Sequence, residues 1–187
     1  MSLTKGLQHK YQVQWQRVVN HPFVQEMGDG DLPTEKFRSY FLQDYIFVKD
    51  LVSITAMGVS KAPNLYAASM LNRFLDGILN PENDLFQRAF AELGAHDDEH
   101  STATATPTTQ AFGDFIVRVG LEGTFEDILV VLHVTEGTYL DWGTRLIEEG
   151  KNPDNTIYRE WIQLHGPEVL GDLVAWISKC LDKSSIG

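Results

Sequence analysis

Residues 35–60 read EKFRSYFLQDYIFVKDLVSITAMGVS and decide the fold class. Large apolar side chains recur every three or four positions, the spacing that places residues on one face of an α-helix. They cover so much of the circumference that few polar faces remain, which is typical of a helix inside a bundle. The stretch therefore predicts an all-α protein. Its polar interruption, Gln43-Asp44-Tyr45, is the first place to look for chemistry, because a buried polar group needs a partner or a function.

Helical patterns continue on both sides of this stretch. The predicted helices cover residues 3–19, 35–60, 64–79, 82–93, 108–121, 124–149, 156–164 and 168–181. Proline and glycine mark predicted boundaries at Pro22, Pro81, Gly94, Pro107 and Gly150. Residues 28–31 are interpreted as a turn and residues 95–106 as a loop. No segment shows the two-residue alternation of a strand and none reads as a linker, so we predict one domain over residues 1–187.

Composition excludes several classes of partner. The 187 residues carry a net charge of −11, whereas nucleic acids and anionic membranes are bound by clustered positive charge. No segment approaches the ~20 apolar residues of a membrane span. The first residues lack the apolar run of a signal peptide, and Cys180 is the single cysteine. We therefore expect a cytoplasmic protein that binds neither nucleic acid nor membrane.

A second polar interruption lies in residues 133–143, which read HVTEGTYLDWG. His133 lies one helical turn before Glu136, a spacing that fits a hydrogen-bonded pair or two metal ligands. A carboxylate-bridged metal bundle needs a second set of such ligands. The similar spacing of Asp97 and His100 falls in the predicted loop, so we predict no metal site. A metal or haem held by His133 and Glu136 is kept as the least favoured hypothesis.

Aromatic residues at helical spacing have two interpretations. They either line a stacking pocket for a planar heterocycle or pack in the core, and core packing is the commoner role. The residues are Trp15, Phe41, Phe47, Phe112, Tyr139, Trp142 and Trp161. The acid among them has the same two interpretations, because Asp44 is either a structural tie between helices or a functional carboxylate.

A set of short segments, in order along nearly the whole chain, resembles one known family. The segments are His21-Pro22-Phe23-Val24-Gln25, Gly28-Asp29-Gly30, Leu32-Pro33, Phe37, Leu42-Gln43-Asp44, Phe90-Ala91-Glu92-Leu93, Pro107-Thr108, Phe125 to Leu129, Tyr139 with Gly143, Ile157-Tyr158 and Trp161-Ile162. They resemble the TenA/thiaminase II family. The resemblance implies a haem-oxygenase-like helical bundle, a homotetramer, and a cofactor-free pocket that binds an aminopyrimidine and cleaves its C–N bonds.

The same resemblance assigns the aromatic part of the pocket. Tyr139 stands at a pocket tyrosine of the family. Two further pocket tyrosines are replaced here by Phe47 and Phe112. A third falls on His165 or Leu164.

The resemblance also assigns the reacting groups. Asp44 stands at the carboxylate that contacts the pyrimidine. The cysteine nucleophile falls on Thr135, beside Glu136, so the chain is similar to the branch in which a glutamate does the work of the cysteine. This implies hydrolysis of an aminopyrimidine or formylaminopyrimidine in thiamin salvage, catalysed by Glu136 and Asp44. Thr135 and His133 then contact the substrate.

One departure from the family concerns the end of the chain. The resemblance implies a last helix that carries an acid close to an aromatic pair, and the sequence stops at Gly187 without it. Together with the replaced tyrosines, this favours, as an alternative, a non-catalytic aminopyrimidine-binding or regulatory protein on the same fold. Apolar helix faces that need covering predict a homo-oligomer, either the tetramer of the family or a dimer.

Overall fold

The computed structural model describes residues 2–94 and 102–184. Its helices are α1 (Leu3–Lys10), α2 (Gln12–Val19), α3 (Pro22–Asp29), α4 (Thr34–Lys61), α5 (Leu65–Gly77), α6 (Asn83–Glu92), α7 (Pro107–Glu122), α8 (Phe125–Glu148), α9 (Thr156–Leu164) and α10 (Pro167–Lys183), with a π-helical segment (Ile78–Glu82) between α5 and α6. Every regular element of the described residues is a helix, so the all-α prediction is confirmed. None of these helices combines the length and hydropathy that crossing a membrane requires.

The contacts divide the chain into two compact units. The central unit is Pro33–Ile128, and the terminal unit joins the chain up to Leu32 with the chain from Leu129 onward. The single domain predicted from the sequence stays a prediction. Part of the predicted loop, residues 95–101 with Asp97 and His100, lies outside the described residues, and residues 103–106 contain no helix.

The predicted helix over residues 3–19 is wrong in one respect, because it is two helices. The chain leaves helical geometry at Tyr11, with φ −108° and ψ 23°, and starts again at Gln12. The apolar periodicity runs through this break. It therefore did not predict the interruption, and three of the residues that carry the pattern, Leu7, Tyr11 and Val18, are exposed at 39%, 48% and 54%.

Proline 22 begins a helix where the sequence predicted only an end. Its missing N–H is no loss at the first helical position, and the Nδ1 atom of His21 accepts a hydrogen bond from the backbone N–H of Phe23 at 3.2 Å. The predicted turn at residues 28–31 is also corrected. Gly28 belongs to α3, and the left-handed residue that ends the helix is Gly30, with φ 82°.

Proline 81 is not the helix boundary that the sequence predicted. Ile78–Glu82 joins α5 to α6 as a single π-helical turn with Pro81 inside it. A π-turn accommodates a residue that lacks the N–H for the regular i→i−4 bond. Other predicted boundaries are confirmed. Asn64 caps α5 through its Oδ1 atom, and Gly94 and Gly150 each have positive φ and come just after the end of a helix.

Within the central unit, α4 and α7 pack closely because glycines of α7 face α4. A Cβ atom at Gly120 would lie 2.7 Å from the Sδ atom of Met57, and one at Gly113 would overlap the Asp50 carboxylate. Lys61, the last residue of α4, contacts the C-terminal end of α7. Its ammonium group donates to the carbonyl oxygens of Gly120, Leu121 and Gly123 at 2.7, 3.1 and 2.6 Å. These carbonyls lie at the end of α7, where a cation is favoured.

Candidate functional site

Helix α8 carries the acid that the sequence singled out. Glu136 is only 6% exposed, and Thr135 and Thr138 on either side of it are also buried. A carboxylate removed from water costs several kcal/mol unless protein groups or a polar cavity compensate for it. The position is therefore specialised, because a leucine there would avoid that cost.

The hydroxyl of Thr135 is engaged by its own helix. Its Oγ1 atom donates towards the carbonyl oxygens of Val131 and Leu132, at 3.2 and 3.4 Å. A hydroxyl that directs its proton to backbone carbonyls does not present that proton to a base. Of the two neighbours Thr135 and Glu136, Glu136 is therefore the candidate for the reacting group. The predicted contact of Thr135 with the substrate stays a prediction.

Tyr139, one turn after Glu136, belongs to an aromatic cluster of the terminal unit. Its ring centroid lies 4.4 Å from that of His165, 5.4 Å from Trp142 and 6.5 Å from Trp161. The His165 ring lies 4.3 Å from Trp161 and is itself only 5% exposed. Of the two residues that the sequence left open, His165 is therefore the one that contacts Tyr139 through its ring.

The hydrogen bond of His165 fixes its tautomer. Its Nδ1 atom lies 2.8 Å from the carbonyl oxygen of Trp161, so this nitrogen carries the proton and donates. Burial lowers the pKa of His165 to about 4. The hydrogen bond to Trp161 acts the other way and raises the pKa, but its effect is smaller. At neutral pH the ring is uncharged and its Nε2 atom is an acceptor.

A close backbone contact seats His165 beside α8. A Cβ atom at Gly143 would overlap the carbonyl oxygen of His165 and lie 2.7 Å from its carbonyl carbon and 3.3 Å from the nitrogen of Gly166. The overlapping atoms are backbone and cannot rotate away. Only glycine at position 143 allows the turn between α9 and α10 to lie this close to the helix that carries Tyr139.

Replacing Gly143 by alanine is expected to destabilise the protein by about 1–3 kcal/mol, the cost of overpacking. The clash outweighs the gain of up to about 1 kcal/mol that alanine brings to a helix interior. Urea unfolding at pH 7 measures the change. Gly171→Ala on α10 is the matched control, because a Cβ atom there meets only Pro167 at 3.9 Å. A Gly143→Ala protein as stable as the control would contradict the contact.

His133 lies on a different face of α8 from Tyr139. Its Nδ1 atom is 3.5 Å from the hydroxyl of Ser178 on α10, and that hydroxyl donates to the carbonyl oxygen of Val174. Burial lowers the pKa of His133 below its ordinary value, and the charge of Asp182 partly opposes this. The side chain thus packs towards α10, and its predicted contact with the substrate stays a prediction.

Gly137, the residue after Glu136, lies against a helix. A Cβ atom there would lie 3.1 Å from the Cη2 atom of Trp15 on α2. The indole Nε1 atom of Trp15 donates to the Asp141 carboxylate at 2.7 Å. Trp15 therefore holds α2 against α8. Its contact on α8 is Gly137, the next residue after Glu136.

The central unit holds the other predicted site residues. Asp44 is half-buried on α4. One turn further on, the Phe47 ring stacks on Phe112 of α7, with centroids 5.0 Å apart and planes at 6°. This spacing leaves no room for a third ring between them. The inner face of Phe47 is thus already covered, while Phe112 keeps 43% of its surface exposed.

Phe41, one of the aromatic residues with two interpretations, packs in the core. It is fully buried, with ring centroids 4.4 Å from Phe37 and 4.8 Å from Phe86. Across residues 2–94 and 102–184, no group of three or more His, Cys, Asp or Glu side chains is arranged to hold a metal ion.

Sequence reasoning missed the roles of Gly143 and Gln43. Gly143 entered only as part of a resemblance, and its close contact depends on a turn 22 residues further along the chain. Gln43 was treated as a neighbour of Asp44, although its amide makes three hydrogen bonds to the segment before and within α7. Neither contact has a local signal in the sequence.

Comparisons with known proteins agree over most of the chain. The model of the TENA/THI-4/PQQC family matches residues 8–184. A protein named aminopyrimidine aminohydrolase from Halalkalibacterium halodurans is 30% identical over 187 residues, which are 100% of this chain and 84% of that protein. One of the same name from Helicobacter pylori is 25% identical over 186 residues, 100% of this chain and 86% of that protein. A solved structure described as a TenA homologue from P. horikoshii OT3 has a TM-score of 0.88 at 25% identity, covering 100% of this chain and 87% of that one.

Proposed function

The chain belongs to the TENA/THI-4/PQQC family, and from this premise we propose that it is a thiamin-salvage hydrolase that cleaves a C–N bond of an aminopyrimidine. The observation that carries the proposal is the burial of Glu136 on α8, one turn from the aromatic cluster around Tyr139. Relatives that match the chain from end to end are named for this reaction.

Glu136 is the proposed general base or nucleophile. As a base it removes a proton from water while water attacks the exocyclic CH₂ carbon, and the C–N bond breaks as that proton passes to the leaving nitrogen, which departs as the amine. As a nucleophile it displaces the amine from that carbon to form an ester, which water then hydrolyses to the hydroxymethyl product and the free carboxylate. Both routes require a carboxylate at position 136. Neither requires a thiol, which agrees with a threonine at position 135.

Asp44 and the aromatic residues are the proposed binding groups. The Asp44 carboxylate accepts hydrogen bonds from the amino side of the pyrimidine and polarises the ring. Tyr139 offers a ring face to the heterocycle, with His165 beside it. Phe47 and Phe112, stacked on each other in the central unit, contribute aromatic surface without hydroxyl groups. The acceptor nitrogen of His165 suits a ligand that presents N–H donors.

The assay of this proposal uses the purified protein and an aminopyrimidine bearing an aminomethyl group. We expect the hydroxymethyl product and one equivalent of ammonia, because water replaces the amine. The formyl derivative is tested in parallel, since the relatives' name does not separate the two substrates. Tight calorimetric binding without turnover of either compound would contradict the hydrolase and favour the non-catalytic binding protein.

The assembly and location are part of the same proposal. Apolar side chains are exposed in both units, including Val13 at 71%, Leu65 at 89% and Phe115 at 56%. Contact between copies is an economical way to cover such surfaces. We propose a cytoplasmic homo-oligomer, either a tetramer or a dimer.

A further inference from the structure

Gln43 forms an unusual link between α4 and the segment that leads into α7. Its Oε1 atom accepts hydrogen bonds from the backbone N–H of Thr106 and from the hydroxyl of Thr109, both at 2.8 Å. Its Nε2 atom donates to the carbonyl oxygen of Thr104 at 3.1 Å. Two donors face the oxygen and one acceptor faces the nitrogen, so the orientation of the amide is determined by its partners.

The two threonines extend this link into the cap of α7. The hydroxyl oxygen of Thr106 accepts from the backbone N–H of Thr109 at 3.2 Å, which is the N-cap bond of the helix. The two hydroxyl oxygens lie 2.9 Å apart. Because Thr109 uses its proton towards Gln43, Thr106 donates to Thr109. The cap and the clamp thus form one connected chain of hydrogen bonds.

The contacts between α4 and α7 follow in register from this point. One turn after Gln43, Phe47 stacks on Phe112, which lies one turn after Thr109. One further turn along α4, the carboxylate of Asp50 packs on Gly113. The hydrogen bonds of Gln43 are therefore the first contacts between the two helices, and they hold the start of α7. The Phe47–Phe112 pair is the next contact.

We propose that Gln43 is a positioning residue, which fixes the start of α7 through Thr104, Thr106 and Thr109 so that Phe112 stacks on Phe47. This inference rests on the proposed function for its effect on catalysis, because that function assigns the Phe47–Phe112 pair to the substrate site. The hydrogen bonds themselves can be tested without any substrate. A glutamine serves here because one amide supplies both the acceptor and the donor that the backbone segment requires.

Amide hydrogen exchange tests the clamp directly. In Gln43→Ala we expect the Thr106 amide to exchange at least about tenfold faster, because its acceptor is removed. Gln43→Glu keeps the acceptor contacts to Thr106 and Thr109 and is expected to retain most of the protection. Gln110→Ala is the matched control, since the exposed Gln110 side chain donates to Asp114 one turn further along α7, at 2.7 Å. Unchanged exchange of Thr106 in Gln43→Ala overturns the proposal.

Kinetics test whether the clamp serves the site. Loosening a stacked pair should raise KM for the aminopyrimidine by about threefold to tenfold in Gln43→Ala, with a smaller change in kcat, since an aromatic contact is lost but Glu136 is untouched. Gln43→Glu should lie closer to the wild-type protein, and Gln110→Ala should match it. Faster exchange with an unchanged KM overturns the positioning role.

A wild-type protein without hydrolase activity would contradict the proposed function and not this inference. In that case the affinity for the aminopyrimidine, measured by calorimetry, replaces KM. Weaker binding by Gln43→Ala than by Gln110→Ala supports the positioning role, and equal binding overturns it.

Discussion

Replacing Glu136 by glutamine is expected to lower kcat for aminopyrimidine hydrolysis by on the order of 10²–10⁴-fold, the range that a general base contributes. Glutamine has nearly the same size and keeps an oxygen acceptor, but it can neither take a proton from water nor form an ester. The side chain is 6% exposed, so solvent cannot readily substitute for the lost base. If Glu136 is the nucleophile, the loss should fall at or beyond the upper end of this range.

Steady-state kinetics with ammonia detection measure the effect, and far-UV circular dichroism and thermal unfolding check the fold. Glutamine keeps the size of glutamate and an oxygen acceptor, so we expect the variant to fold. Glu148→Gln, an exposed acid at the end of the same helix, is the matched control and should keep full activity. A folded Glu136→Gln protein with activity within a few-fold of wild type would refute the catalytic role assigned to this residue.

The fold was predictable because it depends on apolar periodicity. Residues 35–60 and 124–149 carry that pattern over many turns, and both are long helices in the structure. The resemblance to the TenA/thiaminase II family, and with it the haem-oxygenase-like helical fold, is confirmed by the family match and the structural neighbour.

The errors lie where one residue type supports two geometries. Pro22 was interpreted as the end of a helix, but a proline serves equally well at the first helical position, where its N–H is not needed. Pro81 was interpreted as a break, but a π-turn accommodates it inside a continuous helical path. The break at Tyr11 left the apolar pattern unchanged. At both prolines the sequence indicated the right residue but left the local hydrogen bonding open, and at Tyr11 it predicted no interruption.

The candidate site residues stay predictions, and the sequence did not predict their contacts. Glu136 was singled out by its spacing of one helical turn from His133 and by the family resemblance. The choice between His165 and Leu164 needed coordinates, because a difference of one position rotates a side chain by about 100° around a helix. His133 and Tyr139, although both within two turns of Glu136, face different neighbours for the same reason. The contacts that seat these residues come from distant segments, as with Gly143 and His165.

Acid should destabilise the protein through His165, by about 3 kcal/mol when fully developed. The pKa of this histidine is about 4 in the folded protein, because the ring is buried among Tyr139, Trp142 and Trp161, and is near 6.5 in the unfolded chain. Above pH 6.5 both states are neutral at this site, so His165 adds no pH dependence to the stability. Between pH 6.5 and 4 the unfolded chain binds the proton and the folded protein does not. The free energy of unfolding therefore falls as the pH falls through this window, by about 1.4 kcal/mol for each pH unit.

Urea unfolding at a series of pH values from 7 to 4 measures this dependence, and His165→Asn isolates the contribution of this one residue. The Asn amide nitrogen takes the place of Nδ1 and can donate to the carbonyl oxygen of Trp161, but it does not titrate. The variant should be less stable than the wild type at pH 7, because it fills the site poorly, and should lose about 3 kcal/mol less between pH 7 and 4. His133, whose pKa burial also lowers, remains in both proteins and cancels in the comparison. Parallel stability curves would mean that His165 gains a proton as easily in the folded protein as in the unfolded chain, and the neutral acceptor assigned to it beside Tyr139 would then be wrong.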